Sequence, residues 1–417
     1  MAVGPLTLLV GANASGKSNV RNAFQFLQGC ALGYSLAEVI DEKRGPGGVV
    51  LWPGLRGGKQ EVGHYGSDTF RLEVEIRMPT GALPEGERYS YSIALHLGGR
   101  RAAPRIIGES LRGATGEVFV SKPPAETANR ELAEYLEVRF PGDADKPGDV
   151  QPRRYRAGSA TLVQVAEDPK VGEGNRAIAR AVVDVLRGMR FLELSPAAMR
   201  EPSSPGHLTL GDRGQNLSSV LLGISEDSAR KTSILGWLRA LAPLQVTDLH
   251  FKEDFQGRIL VHLVEADGHE ISAFSASDGT LRFLALAAAL LSPESGGFYF
   301  LEEIDNGIHP TRLHLLFDLL EQASRQRGCQ VVATTHNPQL VSFLPETALP
   351  DAVFLYRREG QNTTQATRIL DLPDIRRVLA AQDLGRLLAT GWLEDTVNFH
   401  PDQDFGSGRV EPVAVAI

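Results

Sequence analysis

The chain has few cysteines and no long apolar run, and each shortage excludes a class of protein. Among its 417 residues are only two cysteines, Cys30 and Cys329, far apart and outside any CxxC pattern. Their scarcity excludes a cysteine-based zinc site and indicates a reducing compartment. The longest apolar run, Phe283–Leu291, is far shorter than the ~20 residues of a membrane-spanning helix. The first residues also lack the basic start of a signal peptide, so we expect a cytoplasmic protein without a membrane partner.

Basic residues are also fewer than acidic residues. The chain has 43 lysines and arginines against 51 aspartates and glutamates, which gives a net charge of −8. A protein that coats nucleic acid through bulk electrostatics needs the opposite balance, so any DNA contact must come from a local basic patch. Two arginine-rich stretches, at residues 100–105 and 153–156, are candidates, although such stretches are more often solvated loops.

The N-terminal sequence predicts the start of a nucleotide-binding α/β fold. An uncharged apolar run, Leu6–Val10, is followed by a glycine-rich turn and then by apolar residues at helical spacing. Strand, turn and helix in this order are typical of a mononucleotide-binding unit. Phe70–Met78 and Tyr89–Leu97 then alternate between apolar and polar residues, which predicts an antiparallel lobe.

Changes of pattern divide the chain into four segments. We predict residues 1–120 as the first part of the nucleotide-binding domain, 121–245 as a mostly helical lid insertion, 246–395 as the second part and 396–417 as an irregular tail. The helices predicted in the lid are Ala128–Val138, Asn175–Met189, Leu217–Ile224 and Lys231–Leu241, with a proline-rich loop at Pro141–Pro152. A hairpin is predicted at Gln245–Ile271, before helices and strands that alternate over Asp278–Leu291, Phe298–Leu301, Thr311–Arg327 and Gln330–Thr334. This alternation predicts parallel strands covered by helices.

The strongest chemical signal is a complete G-x-x-x-x-G-K-S phosphate-binding loop at residues 11–18. Its glycines let backbone N–H groups surround phosphates at the N-terminus of a helix. Lys17 is placed to reach the β- and γ-phosphates, and the Ser18 hydroxyl to ligate magnesium. The remaining nucleotide-binding residues predicted here are Gly11, Ser15 and Gly16. The alternative is a glycine-rich turn that carries an ordinary surface lysine.

Two acids and a histidine follow buried strands later in the chain. Glu302 and Glu303 end the apolar strand Phe298–Leu301, which places both carboxylates at the sheet edge where ligands bind in such folds. Glu302 can hold magnesium, and Glu303 can orient or deprotonate the attacking water. His336 ends the strand Gln330–Thr334 and is predicted to lie near the γ-phosphate. The alternatives are solvated carboxylates at a strand end and a structural histidine.

A fourth motif, Ser277-Asp278-Gly279, opens the apolar helix predicted at Asp278. By itself it predicts only an N-cap, in which Ser277 or Asp278 accepts hydrogen bonds from the first turn.

In this order, the four motifs resemble those of the ABC-type ATPase domain of the SMC and RecF superfamily. The loop, with its additional Asn13 and Asn19, is similar to that group's phosphate loop. Ser277 and Gly279 match the signature motif, which contacts the γ-phosphate of an ATP held by the opposite subunit. Asp305 stands in the place of the D-loop.

The resemblance implies an enzyme that converts ATP and water to ADP and phosphate, with ATP and Mg²⁺ as cofactors. Lys17, Glu303 and His336 would be its catalytic residues, with His336 as the switch histidine. Ser18 and Glu302 would hold the magnesium ion. It also implies a homodimer, or a higher homo-oligomer, that closes around ATP.

Within the superfamily, the motifs look most like predicted bacterial AAA-family ATPases close to the overcoming-lysogenization-defect ATPases, some of which act in phage defence or DNA repair. Those proteins carry a C-terminal Toprim nuclease. Only 81 residues follow His336, which leaves no room for such a domain, so we expect no such nuclease in this chain. A separately encoded effector, such as a nuclease, is the partner that this resemblance favours.

The spacing of the motifs favours a compact fold. Lys17 and Ser277 are 260 positions apart, more than the family comparison implies for a transporter ATPase. An SMC protein would fill this interval with a heptad coiled coil, but prolines interrupt every candidate between residues 121 and 245. We therefore predict an α/β P-loop ATPase of ABC type, with an antiparallel β lobe and an inserted helical lid.

Three functions stay open at this point. The first is an ATP-hydrolysing switch in DNA-related processes, with phage defence favoured. The second is an ATP-binding scaffold that hydrolyses little and holds an effector, which is motivated by Glu302 in the place of the usual Asp. The third is a RecF-like DNA repair ATPase that binds duplex DNA through a basic face.

Overall fold

The computed structural model describes residues 1–63, 67–78, 86–99, 102–125, 133–141, 152–241, 246–292, 297–358, 360–399 and 414–416. Its strands are β1 (Leu6–Val10), β2 (Lys43–Arg44), β3 (Val50–Trp52), β4 (Thr69–Arg77), β5 (Arg88–His96), β6 (Arg105–Gly113), β7 (Gly116–Lys122), β8 (Tyr135–Arg139), β9 (Arg153–Arg156), β10 (Arg190–Leu192), β11 (Val246–Glu253), β12 (Ile259–Glu265), β13 (Glu270–Ser272), β14 (Phe298–Leu301), β15 (Gln330–Thr335), β16 (Val353–Tyr356), β17 (Gln365–Arg368) and β18 (Ala414–Ala416).

The α-helices alternate with these strands along the chain. They are α1 (Lys17–Ala31), α2 (Leu36–Ile40), α3 (Gly58–Glu61), α4 (Thr161–Glu167), α5 (Glu173–Arg187), α6 (Pro196–Met199), α7 (Leu217–Ser225), α8 (Ser228–Leu241), α9 (Asp278–Leu291), α10 (His314–Arg327), α11 (Pro338–Val341), α12 (Ile375–Leu379), α13 (Leu384–Ala389) and α14 (Trp392–Phe399).

These elements form two compact units, and one change of unit along the chain falls between Lys17 and Ser18, within the phosphate-loop motif. The first unit contains residues 1–2 and 18–189 together with β18, and the second contains residues 3–17 and the chain from residue 190 to the end of α14. The change of unit at residues 189 and 190 falls inside the segment 121–245, which the sequence pattern treats as one insertion.

The second unit is built on a six-stranded sheet with the order β10-β14-β15-β1-β16-β17. The first five strands are parallel, and β17 pairs with β16 in the antiparallel sense. All residues of β1, β14 and β16 are buried, as expected for parallel strands covered on both faces. The predicted α/β class, with a parallel sheet and additional antiparallel sheets, is confirmed.

Helix α9 forms the centre of the hydrophobic core of the second unit. Eleven of its 14 residues are buried, because α6, α7, α8 and α10 all pack around it. Trp237 of α8, for example, contacts Phe283 of α9 with ring centroids 6.0 Å apart. A helix that is apolar on every side has to be buried in this way. The packing of the rest of α9 therefore determines the position of its first residue, Asp278.

The first unit is built on a seven-stranded sheet with the order β18-β4-β5-β6-β7-β8-β9. From β4 to β9 every neighbouring pair is antiparallel. The alternation predicted for Phe70–Met78 and Tyr89–Leu97 is confirmed in β4 and β5, whose apolar side chains enter the core. At the edge strand β9, the side-chain amide of Gln164 in α4 binds both the backbone N–H and C=O of Arg156. These bonds occupy an edge that could otherwise pair with another strand.

One predicted helix is wrong. Within the predicted helix Ala128–Val138, residues 135–138 belong to β8, and residues 128–132 lie outside the described part of the chain. The buried residues Leu136, Val138 and Phe140 follow a period of two. In a segment this short, apolar residues at a period of two cannot be distinguished from apolar residues at helical spacing. The segment 121–245 therefore contains β8, β9 and β10 as well as helices.

Two further predictions fall largely outside the described residues. Of the loop predicted at Pro141–Pro152, positions 142–151 are not described, and neither are positions 400–413 of the predicted tail. At the start of that tail, α14 continues as a helix to Phe399. Within the part of the chain that is described, no helix is both long and apolar enough to cross a membrane.

A buried carboxylate holds the first unit together at the start of α4. Glu109 of β6 is only 2% exposed. It accepts hydrogen bonds from the Tyr91 hydroxyl (2.8 Å) and from the backbone N–H groups of Thr161 (2.6 Å) and Leu162 (2.7 Å). Burial raises the pKa of this carboxyl, while the two backbone hydrogen bonds oppose the rise. The carboxylate thus binds the otherwise unpaired N–H groups at a helix N-terminus.

We predict that Glu109→Ala destabilises the first unit. The substitution leaves one buried hydroxyl and two buried N–H groups without an acceptor, which should lower the free energy of opening by about 3 kcal/mol. Native-state hydrogen exchange at the amides of β5 and β6 measures this change. Glu117→Ala removes an exposed ion pair with Arg112 on the same sheet and should cost less than about 0.5 kcal/mol. If Glu109→Ala changed the free energy of opening as little as Glu117→Ala does, the Glu109 carboxylate would not stabilise the first unit.

Candidate functional site

Three neighbouring parallel strands bring the predicted chemistry to one edge of the sheet in the second unit. β15 lies between β14 and β1, with Val10 aligned to Thr335 and Leu301 aligned to Ala333. The phosphate loop follows Val10, the two acids follow Leu301 and His336 follows Thr335. The carboxyl ends of these strands therefore present all three motifs on the same side, where ligands bind in open α/β sheets.

The phosphate loop is folded around its own lysine. The Lys17 ammonium donates to the carbonyl oxygens of Gly11 (2.6 Å) and Ala12 (2.9 Å). Ala14 (φ 63°) and Gly16 (φ 106°) have left-handed backbone conformations, and alternation of this kind turns successive N–H groups towards one point. The loop therefore gathers a cation and backbone donors in the way that phosphate binding requires.

The Ser15 hydroxyl of the loop fits a phosphate ligand, and Gly16 is required by packing. The Ser15 hydroxyl is buried and has no hydrogen-bond partner among the described residues, which is costly unless a ligand supplies one. At Gly16 an added Cβ would lie 2.3 Å from the Thr364 Oγ1, so no side chain fits there. Thr364 carries no sequence motif, and its contact with the loop was not predicted.

Beyond Lys17 the loop continues into α1 and the first unit. There the Ser18 hydroxyl accepts a hydrogen bond from the Arg56 guanidinium at 3.2 Å. Arg56 was not predicted, because it stands in a glycine-rich stretch without a motif. The side chains of Asn13 and Asn19 are exposed, and neither forms a hydrogen bond within the described part of the chain.

Glu303 has a strained backbone that its neighbours hold in place. Its φ is 48°, a left-handed value that is rare for a residue with a side chain. Its N–H donates to the Thr334 hydroxyl (3.1 Å), and the Asn306 amide donates to its carboxylate (2.6 Å). His336 Nδ1 lies 3.9 Å from Glu303 Oε1, and both side chains are about half exposed. The structure thus brings the predicted base and the predicted switch histidine together.

The preceding acid, Glu302, is half-buried. Its N–H donates to the carbonyl oxygen of Leu192 in β10 at 3.3 Å, which continues the pairing of β14 with that strand. Within the described residues, no group of three or more His, Cys, Asp or Glu side chains is placed to hold a metal ion.

Asp305 ties the segment after β14 to the segment after β15. It is buried, and its carboxylate accepts hydrogen bonds from the Thr335 hydroxyl (2.8 Å) and the Asn337 amide (3.0 Å). These two residues stand on either side of His336 in the chain. The predicted nucleotide contact of Asp305 stays a prediction, since both carboxylate oxygens are engaged within the chain here.

The predicted N-cap at Ser277 is confirmed. Its hydroxyl accepts a hydrogen bond from the Thr280 N–H at 3.1 Å, and the side chain is exposed at the first turn of α9. Gly279 packs directly against the backbone after Asp305, because an added Cβ would lie 2.1 Å from the Gly307 carbonyl oxygen. The first turn of α9 is therefore in contact with the backbone two residues after Asp305.

The charges of the site influence Lys17. Partial burial lowers the pKa of its ammonium group, and the nearby Glu303 carboxylate acts in the opposite direction. A cation that is partly removed from water attracts an anion more strongly than one in bulk solvent does. Together these side chains can bind phosphates, orient water and respond to a terminal phosphate.

The family model described as "AAA domain, putative AbiEii toxin, Type IV TA system" matches residues 6–157 and 163–342 of the chain. The comparison with curated proteins found no match.

Several solved SMC head structures are similar to the chain in part. A head bound to the C-winged helix domain of ScpA is 13% identical, covers 88% of this chain and 91% of its own, and has a TM-score of 0.42. The SMC head domain from Thermotoga maritima is 11% identical, with 88% and 91% covered and a TM-score of 0.34. A head with an extended coiled coil bound to the C-terminal domain of ScpA, derived from Pyrococcus furiosus, is 12% identical, with 90% and 92% covered and a TM-score of 0.38. At such scores the family assignment depends on the family model alone.

We predict that Asp305→Ala loosens the segment that carries His336. The substitution leaves the buried Thr335 hydroxyl and the Asn337 amide without their acceptor, at a cost of about 2 kcal/mol. Hydrogen exchange at the amides of residues 335–337 should become faster, and the melting temperature should fall. Asp318→Ala, on an exposed position of α10, is the matched control. Unchanged exchange at residues 335–337 would show that the bridge does not hold this segment.

Proposed function

The chain belongs to this AAA domain family, and we propose that it is an ABC-type ATPase that uses ATP to switch between an open and a closed dimer. The observation that carries the proposal is the single sheet edge that holds the phosphate loop, Glu303 and His336. The exposed N-terminus of α9 in the same unit supplies the second half of the proposed site.

The phosphate loop is the part of the site that binds the nucleotide. Lys17 turns from the Gly11 and Ala12 carbonyl oxygens to the β- and γ-phosphates, and the buried Ser15 hydroxyl gains a partner. A magnesium ion bound to ATP needs only one or two protein ligands, and we assign Ser18 and Glu302 to it. When bound, this ion supplies neutralisation of phosphate charge.

Hydrolysis is assigned to the residues after β14 and β15. Glu303 orients the attacking water and accepts its proton, and Asn306 fixes the position of the carboxylate. His336, held between Thr335 and Asn337, senses the γ-phosphate. The strained backbone of Glu303 supports this role, since strain of this kind concentrates at functional positions.

The dimer is assigned to the α9 end of the unit. Ser277 is exposed at the N-terminus of a 14-residue helix whose first turn includes Gly279. Exposed N–H groups and the positive end of the helix dipole favour an anion. We propose that this anion is the γ-phosphate of the ATP bound by the second subunit, so that ATP closes a homodimer or a higher homo-oligomer and hydrolysis opens it.

The process that the switch serves is also a proposal. The family description names a toxin–antitoxin system, which agrees with a role in phage defence through a separately encoded effector such as a nuclease. If hydrolysis is very slow, as Glu302 in place of Asp allows, the same closed dimer acts as a scaffold for that effector. Steady-state turnover compared with a Lys17 variant separates the switch from the scaffold.

A second candidate function, direct DNA binding by a RecF-like repair ATPase, is favoured by one surface of the first unit. Lys122, Arg139, Arg154 and Arg156 are exposed on the same face of the neighbouring strands β7, β8 and β9, with Glu137 among them. None of the four cations has an ion-pair partner among the described residues. DNA-stimulated turnover that falls steeply with salt would support this candidate.

We predict that Lys17→Ala removes ATP binding. The loss of two charge-assisted contacts to phosphate should weaken ATP affinity by about 100-fold or more, as measured with a fluorescent ATP analogue. Lys231→Ala, which removes a lysine paired with Asp248 in the same unit, should bind ATP as the unaltered chain does. Retained affinity in Lys17→Ala would exclude the phosphate loop as the binding site.

We predict that Glu303→Gln traps an ATP-bound dimer. The amide keeps the size of the side chain but cannot accept the proton, so turnover should fall by about 100-fold or more while ATP still binds. Light scattering after gel filtration with ATP and Mg²⁺ should show a dimer that persists. Glu346→Gln, at an exposed position, should not change turnover. Normal turnover in Glu303→Gln would place the base elsewhere.

A further inference from the structure

A single arginine binds the loop that carries Ser277. Arg200 follows α6, and its guanidinium donates to the carbonyl oxygens of Phe274 (3.3 Å) and Ala276 (2.9 Å). The same group forms an ion pair with the Asp278 carboxylate at 2.7 Å. Its three acceptors thus come from the segment 274–278, which ends at the first residue of α9.

We propose that Arg200 is a positioning residue that holds this segment, the signature loop, so that Ser277 can meet the ATP of the second subunit. The inference rests on the proposed function, in which Ser277 acts on an ATP bound by another copy of the chain. Arg200 itself contacts no nucleotide in this proposal.

The hydrogen bonds of the loop show why it needs an external support. The N–H groups of Ser275 and Ala276 both donate to the carbonyl oxygen of Ser272, which closes a tight turn. The carbonyl oxygens of Phe274 and Ala276 accept hydrogen bonds from Arg200. A planar guanidinium with five donors can bind several acceptors at fixed angles, which a lysine cannot do. Arg200 therefore sets the orientation of the loop as well as its position.

The ion pair with Arg200 also neutralises the negative charge of Asp278 beside Ser277. Asp278 stands next to Ser277, and its side chain is 58% exposed. A free carboxylate at this place would repel the phosphate that Ser277 is proposed to meet. Arg200, whose side chain is only 26% exposed, neutralises this charge from the protein side and leaves the outer face of the helix N-terminus to the anion. Arg200 thus acts on both the geometry and the charge of the signature loop.

The place of Arg200 in the chain connects the two halves of the proposed site. It follows β10 by eight residues, and the last residue of β10, Leu192, accepts the Glu302 N–H. On its other side, the loop that Arg200 holds leads to Gly279, which packs on the Gly307 carbonyl oxygen. The segment from β10 to Arg200 therefore lies between the acid that serves the chain's own ATP and the serine that serves the partner's.

The test uses mixtures of full-length variants, because a residue that acts on the partner's ATP can be complemented by a second chain. Arg200→Ala alone should keep ATP affinity unchanged and lose turnover by about 10- to 100-fold, the usual result of a misplaced catalytic contact. Arg200→Lys, which keeps the charge but not the planar fork, should show an intermediate loss. Arg230→Ala, which removes another arginine–aspartate pair of the same unit, should hydrolyse ATP normally.

Mixing Arg200→Ala with Lys17→Ala should then restore turnover. In a mixed dimer, the intact phosphate loop of the Arg200→Ala chain faces the intact signature loop of the Lys17→Ala chain. Random pairing leaves about a quarter of the composite sites intact in a symmetric dimer, so recovery to about a quarter of normal turnover is expected. Ser277→Arg mixed with Lys17→Ala is the reference pair and should recover to the same level.

The outcomes separate the inference from the function on which it rests. If the reference pair recovers but the Arg200→Ala pair does not, or if Arg200→Ala alone hydrolyses ATP normally, Arg200 does not position the signature loop. If neither pair recovers, the shared site between two subunits is wrong, and the proposed function fails with it. Recovery of both pairs supports both, since a variant that had merely failed to fold could not complement.

Discussion

The parallel pairing of β15 with both β14 and β1 is the constraint on which the candidate site depends. Buried on both faces, these strands cannot carry charged side chains along their length. Charged and flexible groups can follow only where the strands end, and parallel pairing puts all three carboxyl ends at one edge. The phosphate loop, Glu303 and His336 are neighbours for this reason, although more than 300 residues separate the first from the last.

A second set of interactions gives these neighbours defined positions. Asp305 is bonded to residues on both sides of His336, and Asn306 holds the carboxylate of the strained Glu303. Arg200 does the same for the loop before α9. In each case a polar group beside the strand ends or in a loop is bound by a side chain, so these segments have defined positions before any ligand binds.

Charged side chains are arranged differently in the two units. In the first, Glu109 is buried and depends on three donors, while four cations on the opposite face of the same sheet have no partner among the described residues. That local excess of positive charge stands against a net charge of −8 for the whole chain. In the second, charge is concentrated at the sheet edge, where the Glu303 carboxylate raises the pKa of Lys17 against the effect of burial.

The sequence by itself determined the local features: the α/β class, the bounds of β1, β14 and α9, the phosphate loop and the cap at Ser277. All of these depend on residues close together in the chain, through periodicity, turn chemistry and capping. It could not separate a strand from a helix at residues 135–138, where both periods fit a short apolar pattern. Only the tertiary structure decided the hydrogen-bond partners of Arg56, Arg200 and Asp305, which come from distant segments of the chain. A single arginine or aspartate forms no repeating pattern in the sequence, so its hydrogen-bond partners are known only once the distant segments have packed together.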